Sequence, residues 1–257
     1  MSYRVFVFDI DNTLTSRLDG HFVESAVEAL RELRKKGHKV VIASGRMPKT
    51  ATQLADNGIE YDYFIGATGQ IVTDNKYNVL YRQCFSEDLF ERISEYCRQN
   101  GCGYFWKMDD CSYIVENNST IDNIFNTYRS KTAFSKPENS RAYGGALVTV
   151  PEKKELFVKE FGAETDTVDG GAGIYDVNLK NVSKRDGLRE LLRILGISRE
   201  ECMAFGDSEN DLELLQYAGL GIAMGDGLEV CRQQADYVTA ETYNDGIKNA
   251  LKRFKVL

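Results

Sequence analysis

The sequence predicts an α/β protein, a parallel sheet with helices on both faces, that carries a smaller α+β unit inserted in it. Three observations lead there. Short apolar runs such as Val5–Phe8 and residues 40–43 alternate with segments whose apolar residues recur at helical spacing, the pattern of β-α-β units. That alternation changes texture after about Thr68 and resumes from Lys184, which makes the larger domain discontinuous. The chain has 257 residues, 42% hydrophobic and 28% charged, which is enough to bury a sizeable core without disulfides.

Each element has its own signal. Val5–Phe8 reads as a fully buried strand. Val23, Ala26, Val27, Leu30 and Leu33 then recur at helical spacing, Lys35 and Lys36 enrich the last turn, and Gly37 stands where the chain leaves a helix. Residues 40–43 form the next strand, broken at Ser44-Gly45; a helix over 47–57 ends at Gly58, and Tyr63–Gly66 is the third strand. Ile71-Val72, an Asp74-Asn75 turn and Val79-Leu80-Tyr81 predict a hairpin. Residues 86–178 mix helices with short strands at 103–106, 113–115, 146–150 and 174–177, and are rich in aromatic residues. From Lys184 there follow a helix to Leu195 closed by Gly196, a strand at 203–205, a helix at 212–217, a strand at 221–223, a helix near Leu228, a strand at 237–238 and a terminal helix to about Arg253. The expected division is a core of residues 1–81 and 181–257 with an inserted domain of residues 82–180. Three prolines and no low-complexity run argue against a long linker.

Lys+Arg 32 against Asp+Glu 39 leaves a net charge of -7, so no global basic field would attract a nucleic acid. The first apolar run ends at Asp9, too short for a signal peptide or a membrane span, and the expected location is the cytoplasm. Cys84, Cys97, Cys102, Cys111, Cys202 and Cys231 contain no C-x-x-C pair and are expected to be reduced, partly buried thiols. Four of them lie between 84 and 111, in spacings that fit none of the usual zinc patterns.

Four clusters could carry chemistry. Asp9-Ile10-Asp11-Asn12-Thr13 follows the first strand directly, at the carboxyl end where parallel α/β sheets bind ligands. Two carboxylates two residues apart in an extended segment point the same way, and like charges so placed call for a cation or a proton; equally, Asp11 and Asn12 are good helix caps. Gly206-Asp207-Ser208-Glu209-Asn210-Asp211 ends another strand and offers more acids, which could also be stabilising a helix N-terminus. With hard oxygen donors and neither thiolate nor imidazole beside them, the cation that two such strand ends suit is Mg²⁺. Ser44-Gly45-Arg46 could receive phosphate oxygens on a hydroxyl, backbone N–H groups and a guanidinium, or be a plain strand-to-helix turn. Lys184 opens a helix, an unfavourable place for a cation unless an anion sits against that N-terminus.

The order of these clusters resembles the haloacid dehalogenase superfamily: D-x-D-x-T, a Ser or Thr ending the second strand, a Lys, then G-D-x-x-N-D. Asp9 to Thr13, Ser44, Lys184 and Gly206 to Asp211 match in type, order and strand-end context. The resemblance covers the whole chain and implies a Rossmann-like core, with an insert between Ser44 and Lys184 that looks like the C2B cap of the Cof-type phosphatases. The chain departs from those relatives at Lys184-Arg185-Asp186-Gly187, where Gly commonly follows the Lys, and at Thr68-Gly69, which is often Asn-Gly. The resemblance further implies that Asp9 is a nucleophile forming an aspartyl phosphate, and Asp11 the acid and base. It implies that Asp9, Asp207 and the backbone carbonyl of Asp11 hold Mg²⁺. Ser44, Gly45, Arg46, Lys184 and Asn210 would bind phosphate, and Asp211 would support the shell around the metal. The expected activity is Mg²⁺-dependent hydrolysis of a small phosphomonoester such as a sugar phosphate, by a monomer or homodimer. The alternatives are a phosphomutase of the phosphomannomutase type or a non-catalytic phosphometabolite-binding protein. Leaving-group selectivity falls to the insert, where Asp176 and Asn178 on its last strand are the candidates.

Overall fold

The computed structural model describes residues 3–128 and 131–257; the start of the expected core and residues 129–130 of the expected insert lie outside the described residues. In chain order the elements are β1 (Val5–Phe8), α1 (Glu24–Lys35), β2 (Lys39–Ala43), α2 (Gln53–Asp56), β3 (Tyr63–Gly66), β4 (Ile71–Asp74) and β5 (Val79–Arg82). Next come α3 (Glu87–Asn100), β6 (Gly103–Met108), β7 (Ser112–Glu116), α4 (Ser119–Tyr128), β8 (Thr132–Ala133), β9 (Ala142–Val148), α5 (Pro151–Phe161), β10 (Thr165–Asp169) and β11 (Ile174–Leu179). The chain closes with α6 (Lys184–Leu195), β12 (Cys202–Gly206), α7 (Leu212–Tyr217), β13 (Leu220–Ala223), α8 (Glu229–Gln234), β14 (Tyr237–Val238) and α9 (Gly246–Arg253). None of these helices is long and apolar enough to cross a membrane.

Two compact units result: one of residues up to Ser44, Thr52–Tyr81 and Ser183–Leu257, the other of Gly45–Ala51 and Arg82–Val182. The first unit is built on an eight-stranded sheet in the order β14-β13-β12-β1-β2-β3-β4-β5. β1 is central because all four of its residues are fully buried, which only a strand covered on both faces allows. It pairs in parallel with β2 on one side and β12 on the other. Val5, Val7, Val41 and Ala204 face Leu188, Leu191 and Leu192 of α6 in one continuous core.

The sheet is parallel from β14 to β3, and β4, the first strand of the expected hairpin, runs antiparallel to β3. A short hairpin cannot return a chain in parallel. Asp74 closes the next turn, between β4 and β5, by accepting from the N–H groups of Lys76 at 2.8 Å and Asn78 at 2.9 Å. The helix expected over 47–57 is also divided. Pro48 opens a 3₁₀ turn, Pro48–Thr50, and Ala51 leaves helical geometry at φ -85°, ψ 46° before α2 begins. Its two halves belong to different units, so one continuous helix could not serve both.

In the second unit a six-stranded sheet runs β10-β11-β9-β6-β7-β8. Phe90, Ile93 and Cys97 of α3 and Phe157 and Phe161 of α5 pack on Tyr104, Trp106, Leu147 and Val177 on one face. On the other face Ile121 of α4 meets Phe105, Ile114, Ala146 and Val148. β9 starts four residues before the expected strand because Gly144-Gly145 hides its apolar pattern, and ends early because Val150 caps α5. The register that sets Lys107 opposite Gly144, and Asp176 opposite Ala146, puts Lys107, Asp176 and Asn178 on the α4 face.

Gly69 lies in the turn between β3 and β4. Its φ of +102° is one that L side chains rarely adopt, and a Cβ there would lie 2.0 Å from the Ser183 carbonyl oxygen, the N-cap of α6. Gly69→Ala is therefore expected to lower stability by about 1–3 kcal/mol from backbone strain alone. Thermal unfolding measures this, and an unchanged Tm would mean that the turn can withdraw from α6 at no cost.

Candidate active site

In the first unit the strand order reverses at the centre: β1, β2 and β3 run outward one way, β12, β13 and β14 the other. The crevice outside the carboxyl ends of β1 and β12 is where such a sheet offers a binding site. Asp9 leaves β1 there in extended conformation, its N–H donating to the Phe205 carbonyl of β12 at 3.1 Å. Its side chain is buried. A π-turn, Ile10–Leu14, follows at once, with Asn12 at φ 57°, and it is closed by the Thr15 N–H to the Ile10 carbonyl at 3.0 Å. Asp11 is exposed on this turn, with extended backbone at φ -74°, ψ 123°. Thr13 points inward and its hydroxyl donates to Asp207 Oδ1 at 3.4 Å.

Asp211 also stands close to Asp9. It closes the turn after β12, where its Oδ2 accepts the N–H groups of Asp207 at 3.1 Å and Ser208 at 3.2 Å, and the Ser208 hydroxyl at 3.2 Å. Gly206 permits this, since a Cβ there would lie 2.6 Å from Asp211 Cγ. Behind the turn, Leu228 N–H donates to the Asp207 carbonyl at 2.7 Å and the Cys231 thiol donates to the Ser208 carbonyl at 3.0 Å. All six cysteines are free thiols.

Lys184 occupies the first turn of α6 and is fully buried. Its Nζ donates to Asp9 Oδ1 at 2.7 Å and to Asp211 Oδ1 at 2.7 Å. The anions that reconcile a cation with a helix N-terminus are thus two carboxylates of the protein itself. Carboxylate oxygens of Asp9, Asp207 and Asp211 lie within 4.8 Å of one another. Arg17, which the sequence reading passed over, sends Nη2 to 2.5 Å from Asp207 Oδ2.

Burial pushes the Asp9 carboxyl well above the usual range against the pull of Lys184, and Asp211, Asp207 and Asp11 raise it further. Burial and Asp211 push Asp207 up to about 7, opposed by Arg17, Lys184 and the Thr13 hydroxyl. Burial alone would lower the Lys184 ammonium, but Asp211 and Asp9 outweigh it and hold it above its ordinary value. Three buried acids against one enclosed ammonium suit a hard divalent cation, which takes carboxylate oxygens and offsets their repulsion. Asp211 accepts from Lys184 on one oxygen and from backbone N–H groups on the other, whereas Asp207 accepts from the Thr13 hydroxyl and from the half-exposed Arg17.

Ser44 is buried at the end of β2, its N–H donating to the Ile65 carbonyl at 2.9 Å and its carbonyl accepting from Thr68 N–H at 3.1 Å. Gly45 and Arg46 follow it directly and are grouped with the second unit. Asn210 is half-buried, with Oδ1 accepting from the Ser208 hydroxyl at 3.0 Å. Thr13 is the last position of the D-x-D-x-T run, to which the sequence assigns no separate role; Arg17 has no local signal in the sequence.

Comparison with known proteins agrees with this geometry. A haloacid dehalogenase-like hydrolase family model matches residues 6–251. A phosphoglycolate phosphatase from Methanoculleus marisnigri is 30% identical over 255 residues, 98% of this chain and 96% of its own length. A longer protein from Streptococcus pyogenes serotype M6 is 27% identical over 99% of this chain, which spans 54% of that protein's length. Among solved structures, a haloacid dehalogenase subclass IIB sugar phosphatase superposes with a TM-score of 0.85 at 27% identity, over 99% of this chain and 100% of that one.

The raised carboxyls make stability depend on pH in a definite sense. Asp207 titrates near 7 when folded against an ordinary 3.8, so the native state binds more protons than the unfolded chain between these values. Stability of the chelated protein is therefore full below about pH 4 as far as this group is concerned, and is lost as pH rises through about 7. A divalent cation that binds the ionised acids stabilises the native state. Scanning fluorimetry is expected to show a larger Mg²⁺-induced rise in Tm at pH 8 than at pH 5; the reverse order would contradict the assignment of raised carboxyls to the cation site.

Proposed function

The chain belongs to the haloacid dehalogenase-like hydrolases of the Cof type and is a phosphatase, and on that premise we propose that it hydrolyses a small phosphomonoester through an aspartyl phosphate on Asp9 with Mg²⁺ as cofactor. The observation that carries this reading is the buried Lys184 bridging Asp9 and Asp211 beside Asp207.

A carboxylate nucleophile must be ionised, and burial works against that. Lys184 works against that effect of burial and fixes the orientation of Asp9, while Asp211, held by backbone N–H groups, fixes Lys184. Asp9 attacks phosphorus, the bond to the leaving oxygen breaks, and Asp11 delivers the proton that oxygen needs. Asp11 then takes a proton from the water that attacks the aspartyl phosphate, releasing inorganic phosphate and regenerating Asp9. The exposed position of Asp11 supports this shuttle, because a group that gives up a proton in one half-reaction and takes one in the other must be in reach of leaving group and water. Ser44, Asn210 and Lys184 supply donors to the phosphoryl oxygens, with Gly45 and Arg46 as further candidates. Mg²⁺, held by the carboxylates of Asp9 and Asp207 and the carbonyl of Asp11, would offset the charge on the phosphoryl group.

Selectivity is assigned to the second unit, read as a C2B cap, because the core residues grip only what all phosphomonoesters share. On its α4 face Lys107 Nζ donates to Asp176 Oδ1 at 2.7 Å, and Asn178 is buried with Oδ1 lacking a hydrogen-bond partner. An ion pair with an adjacent amide can both donate to and accept from hydroxyl groups, which supports a sugar or polyol phosphate as substrate.

Chelation with EDTA is expected to abolish turnover and added Mg²⁺ to restore it. Asp9→Asn should eliminate product, whereas Asp11→Asn should keep Mg²⁺ binding and lose about 10²- to 10⁴-fold in kcat. Single-turnover assays with acid-quench trapping distinguish the two; retention of near-wild-type kcat in Asp9→Asn would end the covalent reading. In the second unit, Asp176→Ala combined with Asn178→Ala should lower kcat/KM for the best sugar phosphate far more than for p-nitrophenyl phosphate. Equal losses on both, at unchanged Tm, would move selectivity elsewhere.

A further inference from the structure

Arg17 sits just past the π-turn, in a tight loop whose backbone is fastened on several sides. Ser16 N–H donates to the His21 carbonyl at 2.8 Å and Gly20 N–H to the Ser16 carbonyl at 2.8 Å. The Arg17 N–H itself donates to Thr242 Oγ1 at 3.4 Å, and Thr242 is held by Asp226 through its N–H at 3.0 Å and its hydroxyl at 2.8 Å. A backbone so tethered leaves the long side chain as the part that can move.

The three buried acids are served by two cations of different kinds. Lys184 is enclosed, its side chain 1% exposed, and it bonds two acids, so removing it would strand buried charges. Arg17 reaches Asp207 from the solvent side, its side chain 37% exposed against 1% for the acid. An arginine stem can lie along the protein while its head returns to water, so this contact can be exchanged where the lysine contact cannot. A divalent cation bound by Asp207 would place a second positive centre against that guanidinium and repel it. A released guanidinium presents a planar fork of donors, the geometry that suits phosphate oxygens.

We propose that Arg17 is a displaceable counter-ion, which neutralises Asp207 in the resting protein, yields that carboxylate to the divalent cation, and then meets the phosphoryl anion. The inference rests on the phosphatase reading above. Its consequence is that cation and phosphate bind cooperatively, with Arg17 carrying part of the coupling, so that each raises the affinity of the other by the same factor. Arg17 is thereby the group that makes anion binding await the metal.

Isothermal titration calorimetry of the full chain tests this with Mg²⁺ alone, and with inorganic phosphate at saturating Mg²⁺. Arg17→Gln should bind Mg²⁺ alone about tenfold more tightly and bind phosphate about tenfold more weakly, the size of one charge-assisted contact. Arg17→Lys, which keeps the charge without the fork, should move both in the same directions by less. Arg185→Gln removes the same charge from a side chain that pairs with Asp186 and Glu213, and should change neither by more than about twofold. Weaker Mg²⁺ binding by Arg17→Gln would overturn the proposal, since the guanidinium would then be orienting Asp207 for the ion. Unchanged phosphate affinity would overturn its second half, and an equal effect in Arg185→Gln would reduce it to bulk charge. Absence of any Mg²⁺ binding by the wild-type chain would instead defeat the cofactor reading on which the proposal stands.

Discussion

A primary ammonium enclosed by protein, with no water to solvate it, persists only where carboxylates stand within hydrogen-bond reach, and Lys184 is in that position. Its two partners lie 175 and 27 residues away along the chain, so one buried cation ties the start of α6 to the end of β1 and to the turn after β12. Taking away one member of such a group leaves an uncompensated buried charge, at a cost of about 3–5 kcal/mol. The interaction therefore fixes the mutual placement of three segments more strictly than apolar packing would. Apolar side chains of similar volume can exchange places, whereas an ammonium with two acceptors at 2.7 Å cannot shift without losing one.

The backbone is arranged to make that placement available. β1 lies between β2 and β12 where the strand order reverses, so both neighbouring carboxyl ends open into the same crevice. Gly69 lets the turn after β3 lie against the Ser183 carbonyl, which brings the α6 N-terminus to the strand ends. Ser183 and Asp186 then cap α6 reciprocally, and Ser208 and Asp211 do the same for the turn after β12. Capping and site chemistry are thus not competing readings of the acidic runs. Asp211 performs both, using one oxygen for backbone N–H groups and the other for Lys184.

The cluster is arranged at the expense of stability. Asp9 and Asp207 are buried close to another acid and resist ionisation, while Asp11, two residues from Asp9, stays in the solvent. Two acids of one local sequence thus stand in different surroundings, Asp9 buried and Asp11 exposed. The surplus negative charge is what a divalent cation would relieve, and Arg17 and Lys184 are the protein's own partial remedy. A site balanced without external ions would have less reason to bind one.

What the sequence alone determined were features carried by neighbours along the chain. Apolar runs marked the strands, spacing of three and four marked the long helices, Gly37 and Gly196 marked where two of them end, and the order of the motif residues pointed to one family. Those signals are local because a residue's face on a strand or helix depends on its periodicity. Tertiary structure alone decided the reversal of β4, the breaking of the 47–57 segment into a 3₁₀ turn and a short helix, and the placing of Asp211 against Asp9 and Lys184. It also brought Arg17 to Asp207 across 190 residues of chain and Lys107 to Asp176 across 69. A pairing between distant residues leaves no period in either neighbourhood, since each charge taken singly reads as an ordinary solvated side chain; only the folded backbone determines which of them lose their water and must find one another.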